Sequence, residues 1–314
     1  MQKADLEQVN LILSKSFNHA RIQQGYRSGH VPVCKRTFLE MYLDANPDGS
    51  FVLEKRGRIL AYGFTRLWGR IGWLGPLSVL PAHEDKGYGK QIVRASVAYL
   101  QERGATTIGL EMAAASSRNI GFYSRLDFTP EKLTLDLVRK VDKPSRSRPP
   151  GEFSLLRFGE MGEDRRERCV AQWREVADRL EPGLDYTREI ELARRFGFGD
   201  AAVVSVSDRP VAFVLAHTET YSEQEERKFL KVNVLQLLPE RPVSDLDLVL
   251  EALQQWAREE RLPGLYLRVP TRYQAAHEFL SASGFTVVQN DLRMTLKGYP
   301  QMDSPECVNL SKWE

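Results

Sequence analysis

The chain has 314 residues, of which 42% are hydrophobic and 27% are charged, and its formal net charge is +2. This composition is that of a globular protein with room for two domains, and the near-neutral charge gives no reason to expect nucleic acid or an anionic membrane as a partner. No apolar run approaches the ~20 residues needed to span a bilayer, and the first residues lack the apolar segment of a secretory signal.

Three cysteines, Cys34, Cys169 and Cys307, lie far apart in the sequence. Their odd number and wide spacing match neither a metal site nor a disulfide framework. We therefore expect three reduced thiols, no bound metal and a cytoplasmic location.

Residues 1–80 predict two helices followed by a meander of strands. Apolar residues recur with a helical period over residues 4–16 and 34–46, and the polar segment 19–32 between them predicts a flexible loop. Three apolar runs joined by tight turns follow, at residues 50–55, 59–68 and 71–79. We expect these runs to form antiparallel strands.

The third of these strands leads into a loop with two glycines. Pro81 ends the strand because it cannot donate to a ladder, and Gly87 and Gly89 permit a tight turn before an amphipathic helix at residues 91–103. Such a loop points unpaired N–H groups outward at the positive end of a helix dipole, which favours binding of a diphosphate. A tight turn without a ligand is the alternative. The spacing fits neither a P-loop nor a dinucleotide-binding fingerprint.

The remainder of the first half predicts a strand, a helix and a strand. Residues 106–112 form the first strand, and Ser117 is the predicted N-cap of the helix that carries Tyr123. Residues 134–140 form the last strand. The Pro-, Ser- and Arg-rich residues 141–152 predict a linker, because such a segment cannot bury a core.

Two segments of the first half resemble the GNAT superfamily of N-acetyltransferases. Residues 79–89 read Val-x-Pro and then Glu-x-x-Gly-x-Gly, which is similar to motif A of that superfamily. Residues 119–128 begin with Asn, carry Phe-Tyr and end with Phe, which is similar to motif B. The two segments lie in the family's order and at its usual separation. Glu84 stands where Gln or Arg is usual, and Asp127 stands where Gly is usual.

The second half repeats the first in outline. A proline ends the strand before the long amphipathic helix in both halves, at Pro81 and Pro239. The predicted strands of the second half are residues 153–157, 201–206, 210–218, 229–238 and 265–269, and its predicted helices are residues 165–180, 187–196, 246–257 and 276–282.

The repeat predicts an α/β fold of two tandem GNAT-like domains, each a mostly antiparallel central sheet flanked by helices. We assign residues 1–140 to an acetyltransferase domain, residues 141–152 to a linker and residues 153–297 to a degenerate GNAT-like domain. The polar residues 298–314 form a tail of unassigned role.

The two halves differ where the chemistry would take place. Residues 240–245, the counterpart of the glycine loop, contain no glycine, and Pro242 among them lacks an N–H donor. Counting back from the Phe that closes each motif places Leu280 where the first half has Tyr123. We therefore expect the second half neither to bind acetyl-CoA nor to catalyse, and to serve as support, as a dimer surface or as one wall of the acceptor cleft.

The resemblance implies an active site within residues 1–140 that uses acetyl-CoA as acyl donor. Loop amides would hold the pyrophosphate, the edge of the third strand would pair with pantetheine and polarise the thioester carbonyl, and Asn119 would hydrogen-bond to the pantetheine arm. Tyr123 would protonate the departing CoA sulfur; core packing is the alternative for this ring. The implied cofactor-binding residues are Leu77, Val79, Lys86, Gly87, Tyr88, Gly89, Lys90 and Asn119.

No general base is evident from the sequence. Glu54, Glu111 and His83 are candidates, and a water relay is an equal alternative. Trp68 and Trp73 on adjacent predicted strands indicate either an aromatic wall of the site or core packing.

Three functions fit the sequence. The first is an acetyl-CoA-dependent N-acetyltransferase whose acceptor is a primary amine of a small molecule or a protein. The second is a non-catalytic acyl-CoA-binding or interaction module. The third is a Fem-type aminoacyl transferase, against which the glycine loop and the lack of a basic surplus argue. We expect neither nucleic acid nor a membrane as partner, and a homodimer is compatible with the sequence.

Overall fold

The computed structural model describes residues 1–25, 30–142, 153–304 and 307–312. The first half contains helices α1 (Leu6–Gln23), α2 (Arg36–Ala45), α3 (Tyr88–Glu102) and α4 (Ser117–Ser124), and strands β1 (Phe51–Lys55), β2 (Arg58–Trp68), β3 (Ile71–Val79), β4 (Thr107–Ala113) and β5 (Phe128–Lys140). The second half contains helices α5 (Glu163–Leu180), α6 (Thr187–Arg195), α7 (Leu246–Glu259) and α8 (Gln274–Ala282), and strands β6 (Ser154–Arg157), β7 (Gly199–Val206), β8 (Arg209–His217), β9 (Phe229–Leu237), β10 (Gly264–Pro270), β11 (Thr286–Leu296) and β12 (Asn309–Ser311).

Helix α1 extends further than the sequence predicted. Residues 19–23, predicted as part of a loop, are helical. The side chain of Asn18 donates to the carbonyl of Val31 at 2.9 Å and accepts from its N–H at 2.8 Å, which ties the last turns of α1 to the chain that returns beside them. This end of the helix is mostly polar, and its composition is therefore similar to that of a loop. Residues 26–29 of the predicted loop lie outside the described residues.

One mixed sheet of twelve strands runs through both halves of the chain. Its order is β1-β2-β3-β4-β11-β5-β10-β9-β8-β7-β6, and β12 pairs with β9. Strands β3 and β4 are parallel, as are β9 and β10, whereas the hairpins on either side are antiparallel. The fold is therefore the mixed α/β class that the sequence predicted, with helices packed against the sheet.

The two halves exchange their last strands. Strand β5 of the first half lies between β11 and β10, which both belong to the second half. Strand β11 lies between β4 and β5, with Leu292 opposite Met112 on one side and Leu133 on the other. Neither this exchange nor β11 itself was predicted. The assignment of residues 1–140 and 153–297 to separate domains remains a proposal, and most of the predicted linker, residues 143–152, lies outside the described residues.

The aromatic core crosses the boundary between the halves. Trp68 and Trp73 are 3% and 1% exposed and lie with Trp173 and Tyr186 of the second half in one buried cluster. The ring of Tyr186 lies 6.4 Å from that of Trp68 and 6.1 Å from that of Trp173. Both first-half tryptophans thus pack in the core, and only the edge of Trp68 also lines the cavity described below.

A buried ion network joins the exchanged strands. Arg268 on β10 donates to Asp136 on β5 at 2.6 and 2.8 Å and to Asp291 on β11 at 2.6 Å, and it also contacts Glu111 on β4. Arg293 on β11 donates to the other oxygen of Glu111 at 2.8 Å. The side chains of Arg268 and Glu111 are 0% and 1% exposed, so these charges depend on one another rather than on water.

Cys34, Cys169 and Cys307 are free thiols. The described residues contain no group of three or more His, Cys, Asp or Glu side chains placed to hold a metal ion. In the same ranges, no helix is both long enough and apolar enough to cross a membrane.

Candidate active site

A cavity of about 1100 Å³ lies between the two halves. The first half contributes the end of β3, the glycine loop and α4, and the second half contributes α6, the ends of β8 and β9, and a turn of β11. The predicted site residues that line it are Leu77, Val79, Gly87, Tyr88, Gly89, Lys90, Asn119 and Tyr123. Lys86 is not among the lining residues, because its ammonium group turns back and donates to the carbonyl of Ala82 at 3.2 Å.

Strands β3 and β4 diverge along the floor of the cavity. They pair from Ile71 opposite Thr107 to Leu74 opposite Leu110, and beyond that point β3 pairs only with β2. The N–H of Leu80 donates to Leu60 of β2 at 2.9 Å. Because such bonds alternate along an antiparallel pair, the backbone groups of Leu77 and Val79 point away from β2 and into the gap.

The glycine loop presents backbone to the other end of this gap. Gly87 precedes α3 with a φ of 79°, a conformation that side chains rarely adopt, and a Cβ there would meet no atom within 4 Å. At Gly89 a Cβ would lie 3.3 Å from Phe122 and 3.4 Å from Val79, so glycine lets the start of α3 approach α4 closely. The loop therefore leaves open space beside its N–H groups, as a bound diphosphate would require.

Helix α4 places Asn119 and Tyr123 one turn apart on the same face. Its N-cap is Ser116 rather than the predicted Ser117, since the N–H of Asn119 donates to the hydroxyl of Ser116 at 3.4 Å. The ring of Tyr123 packs edge-on against Phe122 at 4.9 Å and Phe128 at 5.8 Å. Burial raises the pKa of Tyr123 to about 12, so its hydroxyl keeps its proton at neutral pH.

The three candidate bases differ in position. Glu111 lines the cavity, but Arg268 and Arg293 hold its carboxylate. Glu54 is exposed on β1 and is not a lining residue. His83 lines the cavity beside the glycine loop, and desolvation, with the charge of Lys86, lowers its pKa.

The second half supplies polar groups that sequence analysis missed. His217 and Asn233 lie at 3.2 Å from one another on β8 and β9, and the hydroxyl of Tyr221 lies 3.1 Å from the imidazole. Burial, with the charge of Lys231, lowers the pKa of His217 to about 3, so the imidazole is neutral at pH 7. The signal in the sequence was an Asn within the apolar run of β9, where a polar residue is unexpected in a buried strand.

A carboxylate also reaches the cavity from the second half. Glu189 on α6 accepts hydrogen bonds on one oxygen from Trp68 at 3.1 Å and from Arg66 at 3.3 Å. The Glu189 side chain is 13% exposed, and its residue lines the same cavity as Tyr123. No local sequence pattern marked this residue, because its role depends on contact with a strand over 120 positions away.

The corresponding gap in the second half is filled by the chain itself. Strands β9 and β10 pair from Phe229 to Val232, and beyond that point β12 from the tail pairs with β9, with Leu310 opposite Leu235. Leu310 is 2% exposed, and the N–H of Lys312 donates to Asn233 at 2.8 Å. The tail thus occupies, in the second half, the position that remains open between β3 and β4. Leu280, the counterpart of Tyr123, lies in the core at 0% exposure.

Comparison with known proteins agrees with this geometry. Residues 17–128 match the model of the acetyltransferase (GNAT) family. A putative acetyltransferase from Pyrococcus horikoshii is 18% identical with a TM-score of 0.69, and the match covers 100% of this chain and 93% of the other. A tandem GNAT protein from the clavulanic acid biosynthesis pathway is 11% identical with a TM-score of 0.61 over 95% of this chain and 96% of the other.

A GCN5-related N-acetyltransferase from Sphaerobacter thermophilus is 15% identical with a TM-score of 0.60, and the match covers 97% of this chain and 96% of the other. No curated protein matches this sequence. At these identities the solved structures establish the fold, and the family match lies within the first half. Residues 17–128 therefore form a domain of the GNAT acetyltransferase family, and the fold of the whole chain is shared with a tandem GNAT protein.

Proposed function

We propose that the protein is an acetyl-CoA-dependent N-acetyltransferase that acts on a primary amine, with its cofactor site in the first half. The observation that carries this proposal is one cavity that joins the glycine loop, the open edge of β3 and the hydroxyl of Tyr123. Residues 1–140 would provide the cofactor site and catalytic acid, and residues 153–297 would form the far wall.

The residues present suit acetyl-CoA. The backbone around Gly87, Tyr88 and Gly89 leaves open space for a pyrophosphate, and Lys90 adds a cation beside it. The edge of β3 offers the backbone groups of Leu77 and the N–H of Val79 for the pantetheine amides, whereas the carbonyl of Val79 accepts from the hydroxyl of Ser16 at 2.8 Å. Asn119 lines the same cavity. When bound there, acetyl-CoA supplies the acetyl group as a thioester.

The reaction needs a proton for the CoA sulfur and a group that removes a proton from the acceptor ammonium, and side chains on the two sides of the cavity would provide them. An N–H on the edge of β3 would polarise the thioester carbonyl, and Tyr123 would donate its proton to the CoA sulfur. At the other wall, Asn233 Oδ1 is buried and has no hydrogen-bond partner within the described parts of the chain. An acceptor amine would donate to this oxygen, and the carboxylate of Glu189, which lines the same cavity, would take the ammonium proton.

One observation favours the non-catalytic acyl-CoA-binding module as a second candidate. Glu111, the candidate base nearest the thioester end of β4, is committed to Arg268 and Arg293. A protein of this kind would bind acetyl-CoA without releasing CoA in the presence of any amine.

The experiment that tests the proposal is a thermal-shift titration with acetyl-CoA, followed by an amine panel read by released CoA thiol. We expect acetyl-CoA to raise the Tm of the unchanged protein and not that of Gly87→Glu, whose carboxylate would enter the phosphate position. Gly104→Glu is the matched control, because Gly104 also has a positive φ, 76°, and open surroundings but follows the far end of α3. If acetyl-CoA raised the Tm of Gly87→Glu and of Gly104→Glu equally, the glycine loop would not be the pyrophosphate site.

A further inference from the structure

Arg118 links the two motifs of the candidate cofactor site. It lies on α4, beside Asn119, and reaches across to the start of the glycine loop. Its Nη1 donates to Glu84 at 2.6 Å, and its Nη2 donates to the two oxygens of Asp85 at 3.0 and 3.1 Å. Arg118, Glu84 and Asp85 all line the cavity.

The two carboxylates are unfavourable neighbours for a diphosphate. Glu84 and Asp85 immediately precede the turn, and a carboxylate offers acceptors only, so neither can donate to a phosphate oxygen. Lys86 does not compensate for them, since its ammonium group turns away to the carbonyl of Ala82. Lys90 is the loop cation that lines the cavity. Among the described residues, Arg118 is the cation that hydrogen-bonds to this acidic pair, and without it both carboxylates would lose that partner.

Arg118 affects both the charge and the backbone conformation at the start of the glycine loop, where Glu84 and Asp85 lie. The side chain of Arg118 is 46% exposed, against 25% for Glu84 and 87% for Asp85, so the cation is more accessible than the Glu84 carboxylate and is itself paired with the exposed Asp85. Asp85 has a φ of 60°, which a non-glycine residue adopts at some cost, and Arg118 binds both of its oxygens in that conformation. The planar fork of arginine suits two neighbouring carboxylates better than a lysine would.

We propose that Arg118 is a cofactor-positioning residue that neutralises Glu84 and Asp85 and thereby makes an acidic glycine loop compatible with the diphosphate of CoA. This inference rests on the proposed function. The family motif has Gln or Arg where this chain has Glu84. Arg118 on α4, 34 positions away in the sequence, would supply the positive group that is missing at that position.

The test is titration of CoA by calorimetry into three proteins that carry Arg118→Ala, Arg94→Ala, or Arg118→Ala combined with Glu84→Gln and Asp85→Asn. Arg94 is an exposed arginine on α3 that does not line the cavity, so its loss controls for the change in net charge. We expect Arg118→Ala to raise the Kd at least about tenfold relative to Arg94→Ala, because two unscreened carboxylates then face the phosphates. The combined variant should recover most of this loss.

Salt distinguishes electrostatics from a folding defect. The ratio of the Kd of Arg118→Ala to that of Arg94→Ala should decrease when NaCl is raised from about 50 mM to about 500 mM, because the Debye length is short at the higher concentration. Equal affinities in these two variants, or a loss that the combined variant does not recover, would overturn this inference alone. Absence of CoA binding by the unchanged protein would overturn the proposed function as well.

Discussion

Tyr123→Phe should lower kcat by about 10²–10⁴-fold, the usual contribution of a general acid, while the Kd for acetyl-CoA stays nearly unchanged. The ring contacts with Phe122 and Phe128 survive the change, so the shape of the cleft is retained. The hydroxyl is lost, and the thiolate must leave without a nearby acid. Because this effect is confined to the transition state, kcat and kcat/KM should fall together on any amine that the panel identifies.

The pH dependence and a second tyrosine provide the controls for this result. Burial raises the pKa of Tyr123 to about 12, so its hydroxyl keeps its proton throughout the neutral range. The ratio of kcat for the unchanged protein to kcat for Tyr123→Phe should therefore stay constant from about pH 7 to pH 9. Tyr99→Phe removes a hydroxyl that lies 3.4 Å from Asn46, away from the cavity, and should leave kcat unchanged. Similar small losses from both substitutions would make Tyr123 a packing residue.

Arg268→Met should destabilise the protein by about 3–5 kcal/mol, the usual cost of removing one partner from a buried ion pair. The substitution leaves Asp136, Asp291 and one oxygen of Glu111 without their central cation, and the three side chains are at most 5% exposed. The measurement is the free energy of unfolding from urea titration. The strand exchange also predicts that the two halves lose structure together in this variant.

An exposed arginine provides the reference for that stability loss. Arg103 pairs with Asp48 at 3.0 Å, but the two side chains are 51% and 78% exposed. Arg103→Met should therefore cost no more than about 1 kcal/mol. If Arg268→Met lowered the free energy of unfolding by no more than Arg103→Met does, the ion network between β4, β5, β10 and β11 would not hold the exchanged strands together.

Local patterns in the sequence predicted most of the secondary structure. The alternation of apolar residues placed β3 at residues 71–79, where it lies, and the proline-ended strands and amphipathic helices of both halves follow the predicted order. These features depend on neighbours within a few residues, which is the range over which periodicity and turn chemistry act. The tandem GNAT fold was predicted instead from the resemblance of residues 79–89 and 119–128 to the motifs of that superfamily, together with the repeat in the second half.

The exchange of β5 and β11 could not be predicted in this way. Strand β11 has polar residues in its first half, from Gln289 to Asp291, and the burial of Asp291 among them becomes intelligible only when Arg268 and the neighbouring strands are in place. The filling of the second cleft by the tail also depends on pairing between residues about 75 positions apart, such as Gln236 and Asn309. Long-range pairing of this kind leaves little trace in local composition.

The far wall of the candidate site shows the same limit. A motif identifies Glu84 as a departure from a family pattern, but it does not show that Arg118 lies 2.6 Å away. Likewise, His217, Asn233 and Glu189 come to the cavity from separate elements of the second half. Sequence analysis therefore predicted residues that line the first-half wall of the cavity and missed those that line it from the second half.

The stoichiometry of acetyl-CoA binding tests most directly the claim that the first half alone holds the cofactor. The gap between β3 and β4 is open beyond Leu74, whereas β12 occupies the equivalent edge of β9 and residues 240–245 provide no glycine loop. Isothermal titration of the full chain should therefore give one site per chain, and Gly87→Glu should remove it. A stoichiometry near two, or one site that persists in Gly87→Glu, would contradict the assignment of the cofactor to the first half.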